Sequence, residues 1–343
     1  MASSSSSFPI LIVAPPTLSE AVLFSGLVKR LADEIPHARF TVLGDAAVVG
    51  VYRDMPSLDK TIALEAAPFG LPWLKLWLRL RRRRWGLVLD MTGTRLARSL
   101  KARRKAIRKP LSAALDPVHK VIEAAQILRI DDDPPAPFLF ASEETEAAAE
   151  ALLRPPSGAK EGPILALAPA ADWVGKTWPP ERFAVVAAEL LSPRGPLSGG
   201  RLMVVGRQED RWAAEAVRRA IARDRLIDLA GRADAVTTYA CLKRARLFIG
   251  GDSEMLHLAS AAGAPTLGLF GPSDERVWRP WGPQGETLRG PRDFDAIKAA
   301  DPGLNQAVCH MQDLPVAWVI NAARRLLDAT EAREAAAEEP PHA

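Results

Sequence analysis

Short apolar runs alternate with amphipathic stretches along the whole chain. In the first half "ILIVA" (10–14), "FTVLG" (40–44), "TIALE" (61–65) and "GLVLDM" (86–91) read as buried strands. The stretch 19–36 repeats apolar residues at helical spacing and stops at a proline, and 119–130 and 143–154 continue that pattern. Strand runs separated by helices imply βαβ units and a mainly parallel sheet covered on both faces. The segment "RPPSGAKEGP" (154–163) then breaks the periodicity, after which "ILALAP" (164–169), "RLMVVG" (201–206), "LIDLAG" (226–231), "RLFIG" (246–250) and "TLGLFG" (266–271) restart it.

The pattern predicts an α/β fold of two Rossmann-like domains. A Ser-rich tail over 1–7 precedes a first domain over 8–155, a linker spans 156–163, a second domain covers 164–330, and a charged, Ala-rich end frays over 331–343. The 343 residues are 48% hydrophobic, enough for two cores of ordinary size.

Composition narrows the function classes. The net charge of +4 gives no global pull toward nucleic acid, and no recognition motif accompanies the local cations. Two cysteines, Cys241 and Cys309, make neither a disulfide framework nor a metal cluster and suit a reducing compartment. The opening lacks a basic n-region, and no run reaches the roughly 18 apolar residues of a membrane span, so a cytoplasmic protein is expected. The acids of "DDDPP" (131–135) precede prolines and read as an exposed turn rather than a metal site.

Chemistry concentrates in "RLFIGGDSEMLHLASAAGAPTLGLFGPSDE" (246–275), which reads as strand, tight turn, short helix and strand. Gly250 and Gly251 allow a close backbone approach, Asp252 or Ser253 caps the helix, and His257 follows one turn later. Free amides and the dipole at such a helix start suit a phosphate, although the same pattern also serves as a plain cap.

This stretch resembles the signature of glycosyltransferase family 9, the heptosyltransferase-like enzymes, in which Asp-Thr/Ser-Gly-x-x-His-x-Ala precedes a Gly/Ala-Pro turn. "LALAPAADWVGKTWPPERFAVVAAEL", "MVVGRQED" and "CHMQDLPVAWVINAARRLL" resemble further segments of that family, and the likeness runs over nearly the whole chain. It implies the GT-B arrangement, two Rossmann-like domains facing a cleft. It further implies an inverting, metal-independent transfer from a nucleotide-diphosphate sugar such as ADP-heptose to a lipopolysaccharide-core or related glycolipid acceptor, with no cofactor.

On that resemblance Lys176 neutralises the departing diphosphate. Gly251, Ser253 and the amides of residues 253–255 complete the donor site, Asp252 and His257 orient it, and Glu209 accepts from a ribose or base edge. The family's first loop carries Gly-Asp, with the Asp as catalytic base; here Ser19 and Glu20 stand there, so Glu20 becomes the expected base, one methylene longer. A helix-start acid is the competing role. Glu254 replaces a family Gly, and a carboxylate about 4 Å from a phosphate repels it by roughly 4 kcal/mol at an effective dielectric near 20.

Finally, "FGLPWLKLWLRLRRRRWGLVLD" sets Trp73, Leu74, Trp77, Leu78 and Leu80 before four arginines. Arg81, Arg82, Arg83, Arg84 and Arg95 are expected to form an acceptor face or a peripheral contact with the anionic inner-membrane surface. The alternative is a core helix with solvated arginines at its end. A non-catalytic GT-B-like protein binding nucleotide or glycan is the alternative to the enzyme. Oligomeric state is left open.

Overall fold

The computed structural model describes residues 7–64, 71–110, 116–157, 161–305 and 307–338. The chain divides into two compact units, Met1–Ser142 and Glu143–Ala343.

The first unit holds five parallel strands, β1 (Phe8–Val13), β2 (Ala38–Gly44), β3 (Leu58–Ala63), β4 (Trp85–Asp90) and β5 (Ala102–Ile107), in the order β3-β2-β1-β4-β5. The four apolar runs of the sequence are β1 to β4. The fifth strand was read only as part of a cationic stretch. "ARRKAI" sits at the sheet edge with three consecutive charged residues exposed, so it offers no apolar run to find.

The second unit holds six parallel strands, β6 (Ile164–Ala168), β7 (Arg201–Val204), β8 (Leu226–Asp228), β9 (Ala245–Gly251), β10 (Thr266–Phe270) and β11 (Gly285–Arg289), in the order β11-β10-β9-β6-β7-β8. The half-buried edge strand "GETLR" escaped the sequence pattern for the same reason as β5.

Two domain limits differ from expectation. The helix Glu143–Leu153, expected in the first domain, belongs to the second unit. Its Glu146 pairs with Lys243 and Arg244 at 2.7 and 3.0 Å, and its Ala149 carbonyl faces Cys241 Sγ at 4.0 Å. The border therefore precedes this helix instead of following it at 156–163; linker residues 158–160 lie outside the described residues, as do residues 1–6 of the Ser-rich tail. Of the expected frayed end, residues 331–338 instead continue the last helix, Val316–Glu338, where Arg246 of β9 holds Glu331 and Glu334 at 3.2 and 2.7 Å, and residues 339–343 lie outside the described residues.

Each sheet reverses its strand order once, between β1 and β4 in the first unit and between β6 and β9 in the second. At such a reversal the crossover helices depart to opposite faces and leave a crevice beyond the carboxyl ends of the two strands. Residues 14–20 and 91–95 follow β1 and β4; residues 169–177 and 252–257 follow β6 and β9.

Candidate functional site

The second unit's crevice brings Lys176 to Asp252. Lys176 closes a single helical turn, Val174–Lys176, whose path is fixed from several sides. The Thr177 hydroxyl donates to the Trp173 carbonyl at 3.1 Å and accepts from the Ala171 amide at 3.2 Å. Trp178 is buried against Phe183 and donates its indole N–H to the Leu314 carbonyl at 3.1 Å. The Trp-Pro part of the motif thus anchors the loop in the core and leaves Lys176 to face the crevice. Gly251 ends β9 beside this loop, where a Cβ would stand 3.1 Å from the Lys176 carbonyl, so a side chain would press the loop away from the strand end.

Lys176 Nζ lies 2.6 Å from Asp252 Oδ2 and 3.8 Å from Asp172 Oδ2. Burial pushes the Asp252 carboxyl up, but the neighbouring His257 and Lys176 outweigh it and hold the group well below the usual carboxylate range. His257 Nε2 stands 3.7 Å from Asp252 Oδ1, beyond hydrogen-bond reach. The imidazole is fully buried, and both its nitrogens lack a hydrogen-bond partner among the described residues. The Ser253 hydroxyl is likewise buried and unpartnered and does not cap the helix Glu254–Ala261 that follows it. Buried polar atoms are paired in nearly all folded proteins, so three open ones at a helix start mark a place for a polar ligand.

Glu254 does not simply repel such a ligand. Its carboxylate meets Arg207 Nε at 3.1 Å. Burial pushes the Glu254 carboxyl above its ordinary value, with Asp172 and Asp210 acting in the same direction and Arg207 against it. Arg207 is the residue that sequence reading missed. It follows β7 in "GRQED", where attention fell on Glu209. Glu209 is a largely exposed side chain 3.4 Å from Arg207 Nε, whereas buried Asp210 accepts the Arg207 amide at 2.8 Å and fixes the turn. An Arg two positions before an expected ligand acid gives no periodic signal; only the fold shows that it reaches Glu254.

In the first unit Glu20 lies in the first turn of the helix Leu18–Glu34, which Thr17 caps through the Glu20 amide at 3.2 Å. Glu20 Oε1 accepts from Arg108 Nη2 at 2.9 Å and lies 3.2 Å from Lys120 Nζ. The same two cations hold buried Glu123, at 2.6 and 2.8 Å. Glu20 is therefore one corner of a four-residue charge cluster, a partnership that the sequence did not announce. Glu20 Oε2 has no hydrogen-bond partner among the described residues. Asp90, at the end of β4, is spent on structure: it accepts from the amides of Thr92 and Gly93 and the hydroxyls of Thr92 and Thr94.

The expected cationic face is not one face. Arg81, Arg82, Arg83 and Arg84 precede β4, while Arg95 follows it, and a six-residue strand of about 17 Å separates them. Leu80 of the helix Leu71–Arg81 is buried in the first unit's core and Leu76 and Trp77 pack against it partly buried, whereas Leu74 and Leu78 are exposed, so the helix meets the core-helix alternative only in part. The side chain of Trp73 lies outside the described residues. Asp133 of the acidic turn pairs with Arg30 at 3.1 Å, and among the described residues no group of three or more His, Cys, Asp or Glu stands together as a metal site. No described helix is long and apolar enough to cross a membrane.

Two parallel Rossmann-like sheets, one carrying an anion-suited helix start at its strand reversal, define a GT-B class of fold. The model of glycosyltransferase family 9 (heptosyltransferase) matches residues 92–298, and the chain belongs to this family. It is 32% identical over 114 residues to lipopolysaccharide heptosyltransferase 3 of Escherichia coli K12, covering 33% of this chain and 32% of that protein. It is 27% identical over 175 residues to lipooligosaccharide heptosyltransferase 2 of Haemophilus ducreyi, covering 49% of each. The matches thus span less than half the length of these curated relatives. E. coli heptosyltransferase II superposes with a TM-score of 0.72 at 18% identity, over 94% of this chain and 100% of that one. A family 9 glycosyltransferase of Veillonella parvula gives 0.71 at 19% identity, over 94% and 97%. An E. coli heptosyltransferase solved with ADP gives 0.64 at 16% identity, over 93% and 100%. These likenesses share the fold.

Proposed function

We propose that this protein transfers a heptose-like sugar from a nucleoside-diphosphate donor to a lipopolysaccharide-core or related envelope glycan, in one inverting displacement that uses neither metal nor cofactor. The observation that carries the reading is the Lys176–Asp252 pair beside the unpartnered Ser253 hydroxyl and His257 imidazole at the β6/β9 reversal. Family membership and the nucleotide in the ADP-bound relative support it.

In this reaction the acceptor oxygen forms a bond to the anomeric carbon as the bond from that carbon to the diphosphate oxygen breaks. The leaving oxygen keeps the electron pair. Lys176 and the amides opening Glu254–Ala261 neutralise that charge. Glu20 Oε2 takes the acceptor proton, with Arg108 and Lys120 fixing the carboxylate through Oε1. Asp252 positions Lys176, and Glu209 offers an exposed acceptor to a ribose or base edge.

A thermal-melt series with ADP, UDP and GDP tests the donor seat. A ligand at 100 times its Kd stabilises the folded form by about 2.7 kcal/mol, which raises the melting temperature by several degrees. No shift with any nucleoside diphosphate removes the reading.

A second reading, binding without turnover, is favoured by the two cations on Glu20, because Arg108 and Lys120 already engage the carboxylate that would have to meet the acceptor hydroxyl. It predicts a nucleotide-induced melting shift with no transfer or donor hydrolysis in the parent protein.

A further inference from the structure

The amides that open the helix Glu254–Ala261 meet an anion that the chain itself supplies. The Glu254 side chain is buried in the first turn beside the unpartnered Ser253 hydroxyl, and its own backbone amide helps to hold its charge. Around it, two cations face three buried acids. Arg207 Nε lies 3.1 Å from Glu254 Oε1, and Asp210 holds the same guanidinium at Nε and Nη2, each at 3.3 Å. Lys176 is engaged by Asp252 at 2.6 Å, with His257 3.7 Å from that acid's other oxygen. Asp172, on the loop after β6, is exposed and 3.8 Å from Lys176.

A diphosphate brings more negative charge into this balance. Repulsion between a carboxylate and a phosphate is several-fold stronger in a buried site than in water. Glu254 is enclosed and cannot turn its charge out to solvent, so a proton is what relieves the repulsion and makes the buried acids equal in charge to Lys176 and Arg207. Burial pushes this carboxyl up to about 7, with Arg207 and the helix amide acting against it and Asp172 and Asp210 with it. A phosphate acts in the same direction as those two acids and favours the proton further. Arg207 does not lose its place when Glu254 is neutral, because Asp210 still holds it. Its side chain is 34% exposed, so the charge released from Glu254 is open to a phosphate oxygen.

On the reading of this helix start as the donor seat, we propose that Arg207 is a diphosphate-binding residue governed by Glu254. Binding of a nucleoside diphosphate places a proton from solvent on Glu254, and Arg207 passes from that carboxylate to a phosphate oxygen. The seat then presents two cations to the diphosphate, Lys176 from the β6 side and Arg207 from the β7 side.

Proton-linked calorimetry tests this. The titrant is whichever of ADP, UDP and GDP raises the melting temperature most, used at pH 8, where its phosphates are ionised. Titrations in Tris and in HEPES, whose ionisation enthalpies differ, give the protons taken up per nucleotide bound. The parent should take up about one proton more than Glu254→Gln. The ratio of the parent's Kd to that of Glu254→Gln should rise roughly tenfold from pH 6 to pH 8. Adding Arg207→Gln to Glu254→Gln should weaken binding about 10- to 100-fold, although no Glu254 charge is left there for Arg207 to balance. Melting temperatures check that each variant is folded. Zero uptake by the parent, uptake undiminished in Glu254→Gln, or an unchanged Kd when Arg207→Gln is added would overturn the proposal, while nucleotide still binds and the donor seat stands. No melting shift with any of the three nucleotides removes the seat and this inference together.

Discussion

Arg207 Nε stands 3.1 Å from Glu254 Oε1, so the acid that replaces glycine at the helix start arrives with its own counter-ion. Asp210 holds Arg207 from the other side, at 3.3 Å from Nε. Charge at the seat is therefore distributed over Lys176, Arg207, Asp252, Glu254 and Asp210, and the protonation of Glu254 sets the balance.

Glu254 should make stability depend on pH in a window set by its own titration. Burial pushes its carboxyl up to about 7 in the folded chain, from an ordinary value of 4.5. Between those values the folded form keeps a proton that the unfolded form has released. The contribution is full below about pH 4.5 and is lost as pH rises to about 7, a change on the order of 1–3 kcal/mol. Melting curves from pH 5 to 7.5 should fall for the parent and flatten for Glu254→Gln; equal slopes would refute this.

Lys176→Ala should weaken ADP binding about 10- to 100-fold, the worth of a charge-assisted hydrogen bond. It also leaves the Asp252 carboxylate buried without its ammonium, which should cost about 3 kcal/mol of stability. Lys176→Arg should restore most of both. Calorimetric titration well below the melting temperature reads the affinity, and an unchanged Kd in Lys176→Ala would take Lys176 out of the seat.

Substitutions at Glu20 separate a proton acceptor from a structural acid. Glu20→Gln should lower kcat by about 10²- to 10⁴-fold with donor affinity unchanged, and Glu20→Asp should keep part of the rate. If Glu20→Gln transfers sugar at the parent rate, the carboxylate serves only the Arg108–Lys120–Glu123 cluster.

Trp178→Ala should destabilise the second unit by about 3–5 kcal/mol in urea unfolding. The indole is almost fully buried, packs edge-on against Phe183 with ring centres 4.9 Å apart, and ties the loop to Leu314. A loss under about 1 kcal/mol would mean that the Trp of "GKTW" faces the ligand rather than the core.

Legibility in the sequence followed burial. Of the nine strands found in advance, seven lie between two sheet neighbours, where side chains on both faces must leave water, and the edges β3 and β8 kept enough apolar residues to be read as well. The two missed strands, β5 and β11, are edges, where charged and half-exposed side chains erase the pattern. Gly251, Asp252, Ser253, Glu254 and His257 were legible because one turn and one helix start set them side by side along the chain. Arg207, Arg108 and Lys120 were not, because the pairs that join them to Glu254 and Glu20 cross dozens of residues.

The sequence by itself determined the alternation of strands and helices, the glycine-bearing turn and the identity of the polar residues in it, since these depend on neighbours in the chain. Only the tertiary structure decided which charges neutralise one another. Ion pairs such as Arg207–Glu254 and Arg108–Glu20 join the ends of strands two places apart in the sheet, β7 with β9 and β5 with β1, and that proximity is a property of strand order, which local sequence does not encode.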